Sequence, residues 1–353
     1  VQGGIGFVVG GICLALAFIG VPLDEFWGAV AGLHPGWLVA MVGVFMAQES
    51  LRAWRQIVML RPLSPQLGVG DSLTIIFISY FCIHLFPARL GEVVRPLMVW
   101  RIAGVRPGAA VGVIVAERAV DLVAALAMLL IMLLGARTAL SLEFAGVTVD
   151  LAVLGQRFGL LVVLPALLGL VAVVLLGHRM TALAARAVAR LPPGLAGLGQ
   201  RGLHLLEGFV EGFDGLRGGG RLLAVAGITF GIWSTVVLTF QLLAYGFGID
   251  HLIGTIESVG VAVVTLLASL LPAPPGMAGV QEASGRAALA LYGVSGPGLD
   301  ATALAYAVVV HWWQVIIQAI GAAWFFRRAG LTVREVVRQA RAEAPAEHRP
   351  GSG

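Results

Sequence analysis

Charge is scarce in this chain. Asp, Glu, Lys and Arg together make up 12% of its 353 residues, about half the share of a soluble domain. Lysine is absent, and all 23 basic residues are arginine. Only Cys13 and Cys82 are cysteines, each inside an apolar run. That excludes a disulfide scaffold and offers no thiol pair for a metal. There is no His-x-x-x-His pair, no Gly-x-Ser-x-Gly and no P-loop. Zinc hydrolysis, serine-nucleophile chemistry and nucleotide-driven work are therefore not expected. We expect no enzyme activity and no cofactor.

Apolar sequence fills the space that charge leaves. Hydrophobic residues reach 59%. Adding the 48 glycines raises the share to roughly 73%, against about 45–50% in a soluble domain counted the same way. Mean hydropathy is +0.94. A soluble or disordered chain is excluded, and a polytopic α-helical membrane protein is expected. In that class a net charge of +4 marks cytoplasmic loops, not a nucleic-acid partner.

Eight apolar runs occupy residues 3–20, 36–60, 71–86, 109–134, 158–176, 222–247, 258–271 and 301–326. Six are long enough to span. The stretches from Asp71 to Pro87 and from Glu257 to Pro272 enclose 15 and 14 residues. At about 1.5 Å per residue each reaches roughly 21–22 Å, short of the about 30 Å hydrocarbon core. Each then meets proline, glycine and charge, the pattern of a re-entrant hairpin. The fold expected is all-α: a polytopic membrane bundle of about six full spans plus two re-entrant helical hairpins.

The two hairpins resemble each other. The turns read Phe86-Pro87-Ala88-Arg89-Leu90-Gly91 and Leu271-Pro272-Ala273-Pro274-Pro275-Gly276. Asp71-Ser72 and Glu257-Ser258 precede them; Gly104-Val105 and Gly293-Val294 follow. Either proline and glycine merely punctuate helices, or the chain carries an inverted repeat. Six arginines lie in 178–221 and six more from Arg327 onward, while 21–35 and 248–257 hold none. The positive-inside rule then puts the N-terminus, the 178–221 segment and the C-terminus in the cytoplasm. The first hairpin would enter from the cytoplasm and the second from outside. The 178–221 segment reads as amphipathic helices at the membrane surface. Residues 1–330 form one membrane domain in this reading, and 331–353 a partly disordered cytoplasmic tail.

Chemistry concentrates in Pro87-Ala88-Arg89-Leu90-Gly91-Glu92-Val93-Val94-Arg95-Pro96 and Glu117-Arg118-Ala119-Val120-Asp121. Arg89, Glu92 and Arg95 share a helix face, as do Glu117 and Asp121, and Arg118 can pair with Asp121. Arginine holds phosphate through a planar fork, and a half-helix start adds free N–H groups. The cluster reads either as a headgroup site, with Glu92, Glu117 and Asp121 positioning Arg89, Arg95 or Arg118, or as an ion network pinning the hairpin. Glu282 and Arg286 are spaced as an i,i+4 pair and read either as further headgroup-binding residues or as a structural staple. The breakers between Pro272 and Gly279 predict an irregular tip there and a new helix from near Val280, its start facing Arg89 and Arg118. Glu49, Arg52 and Arg55 are expected at the inner interface, where snorkelling makes them cheap. His311 reads as a core histidine or as a proton relay.

These stretches resemble the lysylphosphatidylglycerol synthase transmembrane-region, or flippase-like, family. That family carries Pro-x-Arg-Leu-Gly-Asp/Glu-x-x-Arg, then Glu-Arg-x-x-Asp. Its second landmark is matched by 272–282, with Met277, Ala278 and Gln281 replacing Gly, Leu and Arg. The resemblance implies a multi-pass protein of the cytoplasmic membrane that moves or handles lipids. The 27 residues after Phe326 leave no room for the aminoacyl-transfer domain of some members, so synthase activity is not expected. The expected function is a lipid flippase whose partner is its membrane lipid substrate; an oligomer is compatible with it. The alternatives are a lipid-headgroup enzyme or its subunit, using Glu92 or Glu117 as acid/base, and a small-solute or proton-coupled transporter.

Overall fold

With no water to satisfy it, a backbone in lipid must pair its N–H and C=O groups within its own segment. The computed structural model is accordingly helical. It describes residues 2–85, 90–135, 141–144, 147–269, 274–336 and 338. Its helices are α1 (Gln2–Phe18), α2 (Leu23–Gly32), α3 (Pro35–Leu60), α4 (Val69–Leu85), α5 (Leu90–Ala103) and α6 (Pro107–Gly135). Then follow α7 (Leu151–Val188), α8 (Pro193–Glu211), α9 (Gly219–Gly246), α10 (Thr255–Ala268), α11 (Val280–Ala290) and α12 (Asp300–Ala329). A short antiparallel ribbon, β1 (Ser141–Phe144) with β2 (Val147–Asp150), departs from the all-α expectation between α6 and α7.

Three stretches are long and apolar enough to cross a bilayer among the described residues: Val171–Val188 within α7, α9 and α12. A fourth arises if α1 and α2, bent by 83° at their break, count as one. Helices α3 and α6 are as long, 26 and 29 residues. Their charges Glu49, Arg55 and Glu117 are turned inward and fully buried. Outward-facing Phe230, Leu223 and Leu198 are more than 70% exposed, as a surface bathed in lipid tails allows and a soluble surface does not.

The two short apolar segments become α4 and α10. Asp71 and Glu257 fall in their first turns, where a carboxylate suits the helix dipole. Gly104 and Gly293, at φ 70° and 84°, end the returning chain in the left-handed region. Helix α3 runs along α9, α4 packs on α12, and α10 packs on α6. Pro272 and Ala273 lie outside the described residues, but the tip from Pro274 to Gly279 is irregular as expected. It holds a 3-10 turn, Pro275–Met277, with positive φ at Gly276, Met277 and Gly279. Helix α11 starts at Val280 with Glu282 in its first turn.

The region from His178 does not begin a separate surface segment: α7 continues through it to Val188. Only α8 is a separate amphipathic helix. Its Gly208, and Gly212 just past its end, meet Gly108 and Gly112 of α6 backbone to backbone, tightly at the first pair and with no room for a Cβ at the second. Leu195, Leu198 and Leu205 remain exposed on its far side.

Candidate functional site

A buried ion network sits where α3, α5 and α6 converge. Arg55 and Arg95 are among the largest fully buried side chains. Arg55 donates to Glu117 Oε1 at 2.6 Å, to Asp121 Oδ1 at 2.5 Å and Oδ2 at 3.0 Å, and to Thr229 Oγ1 of α9 at 3.1 Å. Arg95 donates to both Glu117 oxygens, at 2.7 and 2.6 Å, and to the Tyr80 hydroxyl of α4 at 3.1 Å. Glu117 thus bridges two guanidiniums. A charge out of water is tolerable only when paired and hydrogen-bonded in this way.

Of the residues singled out in sequence, the structure brings Arg95, Glu117 and Asp121 together. Arg118 points the other way and is exposed, because one residue along a helix turns the side chain by about 100°. Arg89 lies outside the described residues. Glu92 lies in α5, but its side chain is not described. Arg55 is not an interfacial snorkeller but the centre of the network. Its carboxylate partners lie 62 and 66 residues away, beyond anything helical spacing reveals.

Glu282 and Arg286 bond to other partners instead of each other. Glu282 Oε2 accepts the Gly279 N–H at 2.6 Å, and Oε1 lies 2.8 Å from His311 Nδ1. Arg286 donates to the Ala17 and Ile19 carbonyls at 2.7 and 2.9 Å, and pairs with Asp300 at 3.2 Å. It therefore caps the end of α1. The start of α11 faces α12, not the first motif as the sequence suggested.

A cavity of about 220 Å³ lies beside the network, between the two short-helix units. Arg52 and Gln48 of α3, His84 of α4, Trp233 of α9, Thr265 of α10 with Ser269 just past its end, Gln281 of α11 and His311 of α12 reach it. Arg95, Glu117 and Asp121 do not line it. Arg52 joins the two features: it pairs with Glu49 at 2.6 Å and lies over the Tyr80 ring at 4.7 Å, with the Arg95 guanidinium 5.1 Å from that ring. Gln48 Oε1, His84 Nδ1, Trp233 Nε1 and His311 Nε2, on side chains that line this cavity, are buried without a hydrogen-bond partner among the described residues. Buried polar atoms are nearly always satisfied in native proteins, so each calls for a partner beyond the described residues.

Sequence reasoning singled out His311, and Arg52 as an interfacial residue, but missed Gln48, His84, Trp233, Thr265 and Ser269, although a signal was there for part of the wall. Gln48, Arg52 and Arg55 follow a three-to-four-residue stripe on α3, and His311, Gln314 and Gln318 do the same on α12. Polar stripes on helices long enough to span mark an inward face. Among the described residues no group of three or more His, Cys, Asp or Glu is arranged to hold a metal ion.

The chain belongs to the family described as the lysylphosphatidylglycerol synthase TM region, whose profile matches residues 4–322. It is similar to glycosyltransferase AglD of Haloferax volcanii, at 26% identity over 320 residues. That overlap covers 85% of this chain and 50% of AglD, so the chain spans about half the length of that curated relative. No solved structure matches it. The chain is a multi-pass integral membrane protein of a lipid-related family.

Proposed function

We propose, with that family membership as premise, that the chain carries a lipid with a polar or anionic headgroup between leaflets of the cytoplasmic membrane. The headgroup would pass through the cavity while the acyl tails stay in lipid. The observation that carries this reading is a polar cavity wall in which four atoms have no hydrogen-bond partner among the described residues and Arg52 supplies a charge. A headgroup offers hydrogen bonds to all four, and Arg52 adds a cation for a phosphate oxygen. The buried Arg55–Glu117–Arg95 network then acts as the frame that fixes α3, α5 and α6 around the cavity.

The two short-helix units would be re-entrant hairpins related as an inverted repeat. Their matched first-turn acids and left-handed glycines support this, as does the exchange of partners in which α4 packs on α12 and α10 on α6. A second reading, a subunit acting on lipid headgroups, is favoured by the glycosyltransferase name of the relative. Against it, Glu117 is held between two arginines away from the cavity wall.

The deciding experiment reconstitutes the full chain in vesicles that carry a headgroup-labelled fluorescent lipid, with a membrane-impermeant quencher outside. Transport predicts quenching of inner-leaflet label, slowed by Arg52→Gln. Quenching that stops at the outer leaflet, as in protein-free vesicles, would refute the transport reading; a chemically altered headgroup would favour the second.

A further inference from the structure

The pair Glu282–His311 has a geometry that neither packing nor headgroup binding requires. Both side chains are buried, at 1% and 7% exposure. Glu282 Oε2 is occupied by the Gly279 N–H, and Oε1 faces His311 Nδ1. An ionised Glu282 therefore fixes the imidazole tautomer: Nδ1 carries the hydrogen and donates it, and Nε2 is left with a lone pair. That Nε2 atom is buried without a hydrogen-bond partner among the described residues, on a side chain that lines the cavity. A carboxylate that orients an imidazole and stabilises its imidazolium form is the arrangement by which a histidine accepts a proton.

We propose that His311 Nε2 is a proton-loading site and that the passage of an anionic headgroup is coupled to the passage of a proton. The step adds one proton to the neutral imidazole, giving an imidazolium held by Glu282, and later releases that proton on the other side of the membrane. No electrons move and no other reactant is consumed. The charged and titratable groups around His311 fix the sign of the coupling. Arg52 from α3 and His84 from α4 reach the same cavity, and Glu49 is bonded to Arg52. Tyr306 of α12 gives its hydroxyl proton to the Phe240 carbonyl. The residues of α9 and α10 that line the cavity carry no titratable group. A protonated His311 thus adds positive charge to a wall whose fixed charge, among the described residues, is Arg52. An anion entering the cavity favours that proton, and the proton favours the anion by the same factor.

The pair is also tied to the moving part such a cycle needs. Glu282 holds Gly279, the left-handed residue at the junction of the irregular tip and α11. The tip packs against α4, so a change at Glu282 bears on the contact between the two short-helix units. Nε2 is shielded from solvent in this conformation, which keeps a bound proton from exchanging with both sides at once.

The inference rests on the transport reading, and two measurements separate them. In the first, the detergent-solubilised full chain in weak buffer with a pH-sensitive dye receives short-chain phosphatidylglycerol. Proton uptake is expected, and its loss in His311→Gln and in Glu282→Gln, both checked for monodispersity. No uptake by the wild type, or equal uptake by a folded His311→Gln chain, overturns the proton site. In the second, vesicles are given a pH gradient, which is expected to accelerate lipid movement by up to about tenfold per pH unit. Movement indifferent to the gradient overturns the coupling and leaves transport standing. Absence of movement with or without a gradient overturns transport, while the uptake measurement still decides the proton site.

Discussion

Glu117→Ala is the sharpest probe of the buried network. The substitution removes one carboxylate from between two guanidiniums that are at most 1% exposed. Arg55 keeps Asp121, at 2.5 and 3.0 Å, and Thr229. Among the described residues Arg95 keeps only the Tyr80 hydroxyl, at 3.1 Å, as a hydrogen-bond partner. An uncompensated charge is thus left in the core, and breaking a buried pair in this way costs about 3–5 kcal/mol. Asp121→Ala removes a partner from Arg55 but leaves Glu117 in place, so about 1–3 kcal/mol is expected. Glu211→Ala breaks only the exposed pair with Arg106, worth about 0–1 kcal/mol. Thermal unfolding in detergent, followed by tryptophan fluorescence, should rank the three in that order. Adding Arg95→Met to Glu117→Ala should recover part of the loss, because no unpaired charge then remains on α5. A Glu117→Ala chain that melts together with Glu211→Ala would refute the account, as would a double variant less stable than the single.

Three further outcomes follow from the packing. Gly112→Ala drives a Cβ into the Phe209 carbonyl of α8, so it should lower the melting temperature clearly, whereas Gly169→Ala, with open space around it, should not. Gly279→Ala meets the Gly10 carbonyl and takes an L-residue to φ 83°. It should displace the tip from α1 and make the adjoining backbone exchange hydrogen faster, and unchanged exchange there would contradict the packing. In a Cys13→Ala, Cys82→Ala background, Arg106→Cys and Ser295→Cys should label from opposite sides of the membrane. Labelling from one side would end the inverted-repeat reading.

Composition and run length were enough to establish a helical membrane protein, because a backbone in lipid has few alternatives. The density of proline and glycine around 272–279 was enough to place an irregular tip and a helix start at Val280, since breakers act locally. The glutamate three residues past the left-handed glycine was readable as a helix-start residue for the same reason. Partners were not readable. Helical spacing says which residues share a face, and Glu117 with Asp121 was legible on that ground. It does not say what the face meets. Arg55 lay in another run, and only the tertiary fold, which lets its side chain reach from α3 to α6, gives it its carboxylates across 62 and 66 residues of chain. Glu282 had a local candidate in Arg286, yet it reaches His311, 29 residues on, because the turn at Gly279 aims the start of α11 at α12. The cavity itself is made by residues from α3, α4, α9, α10, α11 and α12. Its shape is a property of how helices fit together, and no segment of the sequence carries it alone.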